Sequence, residues 1–597
     1  MSCLRYLVFA GAAVALARAG LAQSSVLSFS SGSGTSGTTV SIPLNLASGA
    51  SGAPSSLQWT LNYPAGMVSN VTVSAGPAAT AAGKTIACYA NTCALYGLNV
   101  GPIANGTVAT IGMQLTASAG GNVPIYLSNL FGASATGSTA SVSSVSGSIG
   151  VRQAPTAALA QVAAGASLTT GLYIFNTSAA TASYTIQFYD DSGNFVPLPF
   201  SSGSTSIISG SLPAHGLTYV ETASIQAAVT AGWGEIVADP GVVVQAVFRN
   251  DVNGTYYQAS MPASPGAKQV LMAYDNTTPA AVGQPYVTGI ALANLDATNF
   301  ANVVCTAYGS DGSLIANAIQ VPALAPLGHW ASYQFPSLAG LRGSIACSSN
   351  TNISATALRF LGSELVSLPV VPNPSGTGGS TQSSAIGEIA AGGTLATGLF
   401  ILNGGGAAAP FAVNLFDDTG APLSFPFTTG AASSISATLP AQGAAYFEAD
   451  GSGGATTSGW AEIAAGSSVV VQAIFRNTVQ GVTYEAAIPS TVGSQQFVIP
   501  FDTVPIAGQP SATGLAIANL QAAAGTVSCT AYDSTGTVIP NAISVPALSP
   551  LGHWASYQFP ALAGQRGTID CTSNTTVTAT ALQFLGSSLA SFSVVTE

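Results

Sequence analysis

"NAIQVPALAPLGHWASYQFPSLAGLRGSIACSSN" (317–350) returns as "NAISVPALSPLGHWASYQFPALAGQRGTIDCTSN" (541–574). The match extends upstream, where "GLYIFN" (171–176) recurs as "GLFILN" (398–403) and "VVVQAVFRN" (242–250) as "VVVQAIFRN" (469–477). The chain therefore carries a tandem duplication. Between the copies, "PNPSGTGGSTQSS" (372–384) has the composition of a linker.

A fainter repeat lies inside each copy. "TGLYIFN" followed by "YTIQFYDDSG" (184–193) parallels "TGIALAN" (288–294) followed by "NVVCTAYGSDG" (302–312). "LPAHGLTYVE" (212–221) parallels "LAPLGHWASY" (324–333). Four modules result: 155–264, 265–371, 385–492 and 493–597. Alternation in "YTIQFY", runs rich in Val, Thr and aromatics, and regular Gly/Asp/Asn/Ser breaks predict short strands throughout. Modules of about 100 residues with some seven strands predict Ig-like β-sandwiches in two tandem pairs.

Charged residues are only 5% of the chain, against about 25% in an average domain. The net charge is -11, and no Lys/Arg cluster exists to bind nucleic acid or an anionic membrane. Residues 1–22, with Arg5, an apolar run and small residues before Gln23, read as a secretory signal peptide. No later apolar run is long enough to predict a transmembrane segment. These features predict a secreted protein, extracellular or at the cell surface.

Cys3 falls in the leader, and the other cysteines are Cys88, Cys93, Cys305, Cys347, Cys529 and Cys571. An even number in an exported chain predicts disulfides. The separation of Cys305 from Cys347 equals that of Cys529 from Cys571, which favours those pairs and leaves Cys88 with Cys93. Zinc is the rival reading, disfavoured because no His or further Cys lies near either pair. Aligning the modules on their turns places Ile186, Cys305, Val413 and Cys529 in one column. Ala238, Cys347, Ala465 and Cys571 fall in the other, so a cystine is expected where sister modules bury hydrocarbon.

Residues 25–151 follow another pattern: "TVSIPLNL", "LQWTLNYP" and "GTVATIGMQL" in that order. This stretch resembles the cohesin family and related carbohydrate-binding β-sandwiches. The resemblance implies a nine-stranded jelly-roll sandwich whose members bind dockerin modules or glycans. "CYANTC" (88–93) is not part of that pattern. The four later modules resemble uncharacterised repeats of large exported bacterial proteins.

No constellation for catalysis emerges. His329 and His553 recur, but the nearby first-module histidine, His215, becomes Gln442 in its own copy, which argues for a structural turn. "YDDSG", "YGSDG", "FDDTG" and "YDSTG" keep an aromatic, turn formers and a final Gly, as hairpins do. Glu235 and Glu462 lack the second carboxylate that glycoside hydrolysis uses, and are expected solvated or turn-bonded. Trp59 is expected in the core, while Trp233, Trp330, Trp460 and Trp554 are candidate glycan-stacking residues. The expectation is a secreted, multi-module, non-catalytic binding or scaffold protein without cofactors or metal. Its partner would be a polysaccharide or a protein module of an extracellular assembly. The alternative is a structural or adhesive cell-surface protein with the modules as spacers.

Overall fold

The computed structural model describes residues 24–596, except 50–51, 118, 225–226, 280–282, 374–380 and 507. The expected signal peptide and the middle of the expected linker lie outside the described residues. The chain divides into two compact units, Met1–Ala154 and Pro155–Glu597, both built from β-sandwiches.

In the first unit, one sheet orders Val142–Val145, Ser25–Phe29, Thr39–Ala47, Gly106–Leu115 and Val68–Ala75. The facing sheet orders Gly32–Thr35, Gly147–Arg152, Gly121–Ala133, Ser56–Asn62, Thr92–Tyr96 and Thr85–Tyr89. The opening strands pair parallel with the closing ones, one in each sheet. Alternate residues of each strand point inward, so Ile42, Leu44, Ile111, Val123 and Ile125 fill the space between the sheets. Trp59 is fully buried among them.

In the second unit, the first module pairs Ala157–Ala164, Thr230–Ala238, Ala182–Tyr189 and Ile207–Leu212 in one sheet. Leu217–Glu221, Leu168–Asn176, Val242–Val252 and Thr255–Pro262 form the other. The third module repeats this arrangement, and its first strand, Thr381–Ala391, begins inside the stretch expected as linker. In the second and fourth modules, 20-residue strands Arg342–Leu361 and Arg566–Leu585 run through both layers. Each pairs with one set of strands early and another late.

Cystines join directly opposed residues, Cys305 with Cys347 and Cys529 with Cys571. The opposed pairs at this place in the sister modules are Ile186 with Ile236 and Val413 with Ile463, all buried. The expected partners Ala238 and Ala465 are therefore corrected by two residues. Ala238 faces Tyr184, and Ala465 faces Phe411. A shift of two keeps a side chain on the same face, so the alternation pattern could not reveal it.

The modules do not lie in a row. One backbone hydrogen bond is made at four joints: His329 N–H to Asp191 O (3.3 Å), Ala444 to Ser310 (3.0 Å), His553 to Asp418 (3.1 Å) and Leu217 to Ser534 (3.1 Å). The last of these closes the fourth module on the first. The final Gly of each hairpin sits against the same turn of the next module. A Cβ on Gly193 would lie 2.0 Å from Pro326 O, on Gly312 2.3 Å from Ala441 O, on Gly420 2.0 Å from Pro550 O and on Gly536 2.1 Å from Ala214 O. All four glycines have positive φ, so the hairpin and the joint both require the missing side chain.

Apolar burial drives the closure. Phe400, Leu402 and Ile474 of the third module belong to the core of the second. Tyr173, Phe175 and Val247 of the first belong to the core of the fourth. Five of the six basic residues in 155–597 gather at these two joints. At one, Arg359 binds Asp275 (3.0 Å) and Glu485 (2.6 Å), Arg342 binds Asp275 (2.8 Å), and Arg476 also reaches Glu485. At the other, Arg249 binds Glu221 (2.7 Å) and Gln258 (2.9 Å), and Arg566 binds Asp502 (2.9 Å). Gln583 and Gln258 stand where the first joint has Arg359 and Glu485, and Gln583 donates to the Tyr173 hydroxyl (2.8 Å). Two residues that form an ion pair in one copy are thus neutral amides in the other, where Gln258 accepts from Arg249.

Candidate functional site

The residues singled out by sequence are mostly parts of the joints. Trp233 and Trp460 are completely buried. Their indole N–H groups donate to Leu327 O and Leu551 O of the next module, both at 2.8 Å. Their rings stack on Tyr189 (5.2 Å) and Phe416 (4.9 Å). Neither offers a face to a sugar, which removes both from the stacking candidates. Trp330 and Trp554 are half-buried, packed on their own module cores with Phe335 and Phe559 at 6.4 Å.

His329 and His553 have carboxylate partners supplied by the preceding module. His329 Nδ1 pairs with Asp191 (2.8 Å), and His553 Nδ1 with Asp418 (2.8 Å). Glu388 lies 3.2 Å from His553 Nε2. Burial would lower the His553 pKa, but hydrogen bonds donated to Asp418 and Glu388 lift it to about 9. Burial raises Glu388 from its ordinary value, against the pull of His553. The imidazolium is a clamp between modules.

The hairpin carboxylates serve their own turns. Asp190 Oδ1 accepts the N–H groups of Ser192 and Asn194 (both 2.9 Å), and Asp417 accepts those of Thr419 (2.9 Å) and Ala421 (3.0 Å). Among the described residues, no group of three or more His, Cys, Asp or Glu is placed to hold a metal ion. Glu235, expected solvated or turn-bonded, is instead buried within a strand and accepts the Tyr189 hydroxyl (3.1 Å). Glu462 accepts Asn414 Nδ2 (3.2 Å).

An exposed, chemically distinctive face lies on the first unit, and sequence reading missed it. Leu57, Trp59 and Leu61 point inward, so Gln58, Thr60 and Asn62 point outward. Cys93 and Leu95 likewise leave Thr92, Ala94 and Tyr96 outside. The registers Gln58↔Phe131, Asn62↔Tyr126, Thr60↔Thr92, Thr92↔Tyr89 and Tyr96↔Thr85 extend that outer face across four strands. Tyr126 and Phe131 are five residues apart, a spacing that would put them on opposite faces of a regular strand. Asn129, at φ 49°, takes up one residue in a bulge and returns Phe131 to the outside.

Four rings stand exposed there: Tyr89 (90%), Tyr96 (50%), Tyr126 (52%) and Phe131 (49%). Hydroxyls and amides lie between them, with Thr60 to Thr92 at 2.9 Å and Asn62 to Ser128 at 2.9 Å. The Cys88–Cys93 disulfide ties the edge hairpin that carries Tyr89 and Tyr96. The first unit has no carboxylate side chain. All 21 acidic residues of the chain follow residue 189. Lys84, next to the edge hairpin in sequence, is buried, its ammonium held by Asn99 O and Oδ1 at 2.8 Å each.

No family model matches the chain, and no curated protein does. Among solved structures, it is similar to the sixth cohesin of scaffoldin B from Acetivibrio cellulolyticus, solved in complex with a Cel5 dockerin mutant. Identity is 19%, covering 22% of this chain and 99% of that one, at TM-score 0.20. A type I cohesin of Clostridium thermocellum, solved in the Coh-OlpA-Doc918 complex, shows 14% identity, 22% and 99% coverage, and TM-score 0.20. A non-cellulosomal cohesin from the archaeon Archaeoglobus fulgidus shows 13% identity, 22% and 92% coverage, and TM-score 0.19. No helix among the described residues is long and apolar enough to cross a membrane.

Proposed function

We propose that this is an exported, non-catalytic binding protein that holds a neutral polysaccharide on the outer face of its N-terminal sandwich. The observation that supports this reading is the set of four exposed rings on one face of a unit whose sequence has no Asp or Glu. Aromatic rings stack on the apolar faces of sugars, and the interspersed Gln58, Asn62, Thr60 and Thr92 offer hydrogen bonds to hydroxyl groups. The absence of any Asp or Glu before residue 190 leaves this unit without the paired carboxylates of glycoside hydrolysis. The closed ring of the second unit suits a compact platform better than a string of spacers, because a ring gains little reach from its length.

The test is retention of the full chain on cellulose, chitin and xylan. Retention should weaken about tenfold on Tyr126→Ala/Phe131→Ala and again on Tyr89→Ala/Tyr96→Ala, and vanish when 24–151 is removed. Retention that ignores these changes would sink the proposal.

A second reading, docking of a protein module, has its own observation. Leu98 and Val100, just beyond Tyr96, are exposed aliphatic side chains. Such groups suit a protein surface better than a glycan. Failure on every glycan, with Leu98→Ser abolishing capture of a protein partner, would favour it.

A further inference from the structure

The four inner-edge strands, Thr255–Pro262, Glu364–Leu368, Val482–Pro489 and Ser588–Phe592, meet at the middle of the ring. They leave a cavity of about 600 Å³ to which all four modules contribute and whose lining holds no charged side chain. Its size lies within the usual range for small-molecule sites.

The two halves of its wall differ. On the side of the first and fourth modules, the polar groups are closed. Gln245 Nε2 donates to Ser591 O (2.6 Å), Gln245 Oε1 accepts Ser593 N–H (2.7 Å), and the Ser260 and Ser591 hydroxyls pair at 2.6 Å. On the side of the second and third modules, Gln472 Nε2 donates to Ser367 O at 3.0 Å in the same way. But Pro369 stands where Ser593 does and has no N–H to give. Ala487 stands where Ser260 does. Gln472 is 4% exposed, and among the described residues neither its Oε1 nor the Ser367 hydroxyl meets a hydrogen-bond partner. Both residues line the cavity.

We infer that the cavity is a binding site for a neutral small molecule with an apolar body and one hydroxyl or amide donor, which pairs with Gln472 Oε1 and the Ser367 hydroxyl. The apolar lining, including Ile488, Val471 and Phe592, receives the body. The absence of charge rejects ions. The repeat supplies an internal comparison, since the same wall with Ser at both positions has no free acceptor.

The probe is N-phenyl-1-naphthylamine, neutral and carrying one N–H, titrated into the full chain by fluorescence, with 1-decanol and decane as competitors. Saturable binding with one probe per chain is expected, displaced by decanol well before decane. Gln472→Leu should weaken it roughly tenfold, the worth of one buried hydrogen bond. Pro369→Ser/Ala487→Ser, which rebuilds the closed wall already present in the other half, should weaken it similarly while thermal unfolding stays near wild type. This variant keeps the test decisive if Gln472→Leu fails to fold. Absence of saturable binding, equal displacement by decane, or affinity untouched by the rebuilt wall would each overturn the inference.

Discussion

Leu217 of the first module donates its N–H to Ser534 O of the last at 3.1 Å. Three equivalent bonds join the other neighbours, so each module is hydrogen-bonded in this way to two others and none is terminal. The hairpin glycine behind each bond makes this directly testable. Gly193→Ala and Gly536→Ala should each destabilise the chain by about 1 kcal/mol or more, since Ala is strained at positive φ and its Cβ meets a neighbouring carbonyl. Gly254→Ala, at φ 83° with open space around it, should cost less. Thermal unfolding of the three variants measures the difference.

The two ionic joints predict a double-mutant result. Arg359→Gln alone leaves buried Asp275 with only Arg342 and buried Glu485 with only Arg476, and should cost about 3 kcal/mol. Arg359→Gln/Glu485→Gln copies the neutral arrangement of Gln583 and Gln258 and should recover most of that loss. Urea unfolding of both variants reads the coupling.

Stability should fall toward alkaline pH. His553, near 6.5 when unfolded and about 9 when folded, stabilises fully below 6.5 and loses that contribution as pH rises through 9. Its upper bound is about 3 kcal/mol. Burial, with the Glu485 charge adding to it, pushes Glu364 up to about 10 against the pull of Arg359 and Arg476. Folding then favours its protonated form, and stability is lost between 4.5 and about 10. Glu364→Ser, the residue found at the matching position 588, should flatten the decline. Melting temperature from pH 6 to 10 checks both.

The cystine column predicts a rescue. Cys529→Ala/Cys571→Ala should lose about 4 kcal/mol, the chain-entropy value for a loop of this length. Cys529→Val/Cys571→Ile, copying Val413 and Ile463, should lose less because buried hydrocarbon offsets part of the missing cross-link. Calorimetric melting separates the two variants.

Much of the fold was legible in the sequence. Alternation such as Tyr184, Ile186 and Phe188 marks buried faces because strand side chains alternate. What was not legible depends on contacts between distant segments. A turn such as "YDDSG" looks the same whether it faces water or the next module, so the Asp191–His329 pairing was hidden. Trp233 and Trp460, expected near element ends, lie inside strands Thr230–Ala238 and Thr457–Gly466, and the neighbouring module covers them. The aromatic face on the first unit was obscured by the bulge at Asn129, which breaks the period that would have placed Phe131 beside Tyr126.

Small-angle X-ray scattering from the segment 155–597 most directly tests the closed ring. Closure predicts a radius of gyration of about 22 Å, the value for a compact domain of this length. A radius of roughly 40 Å, expected from the same scaling for four modules set end to end, would contradict it.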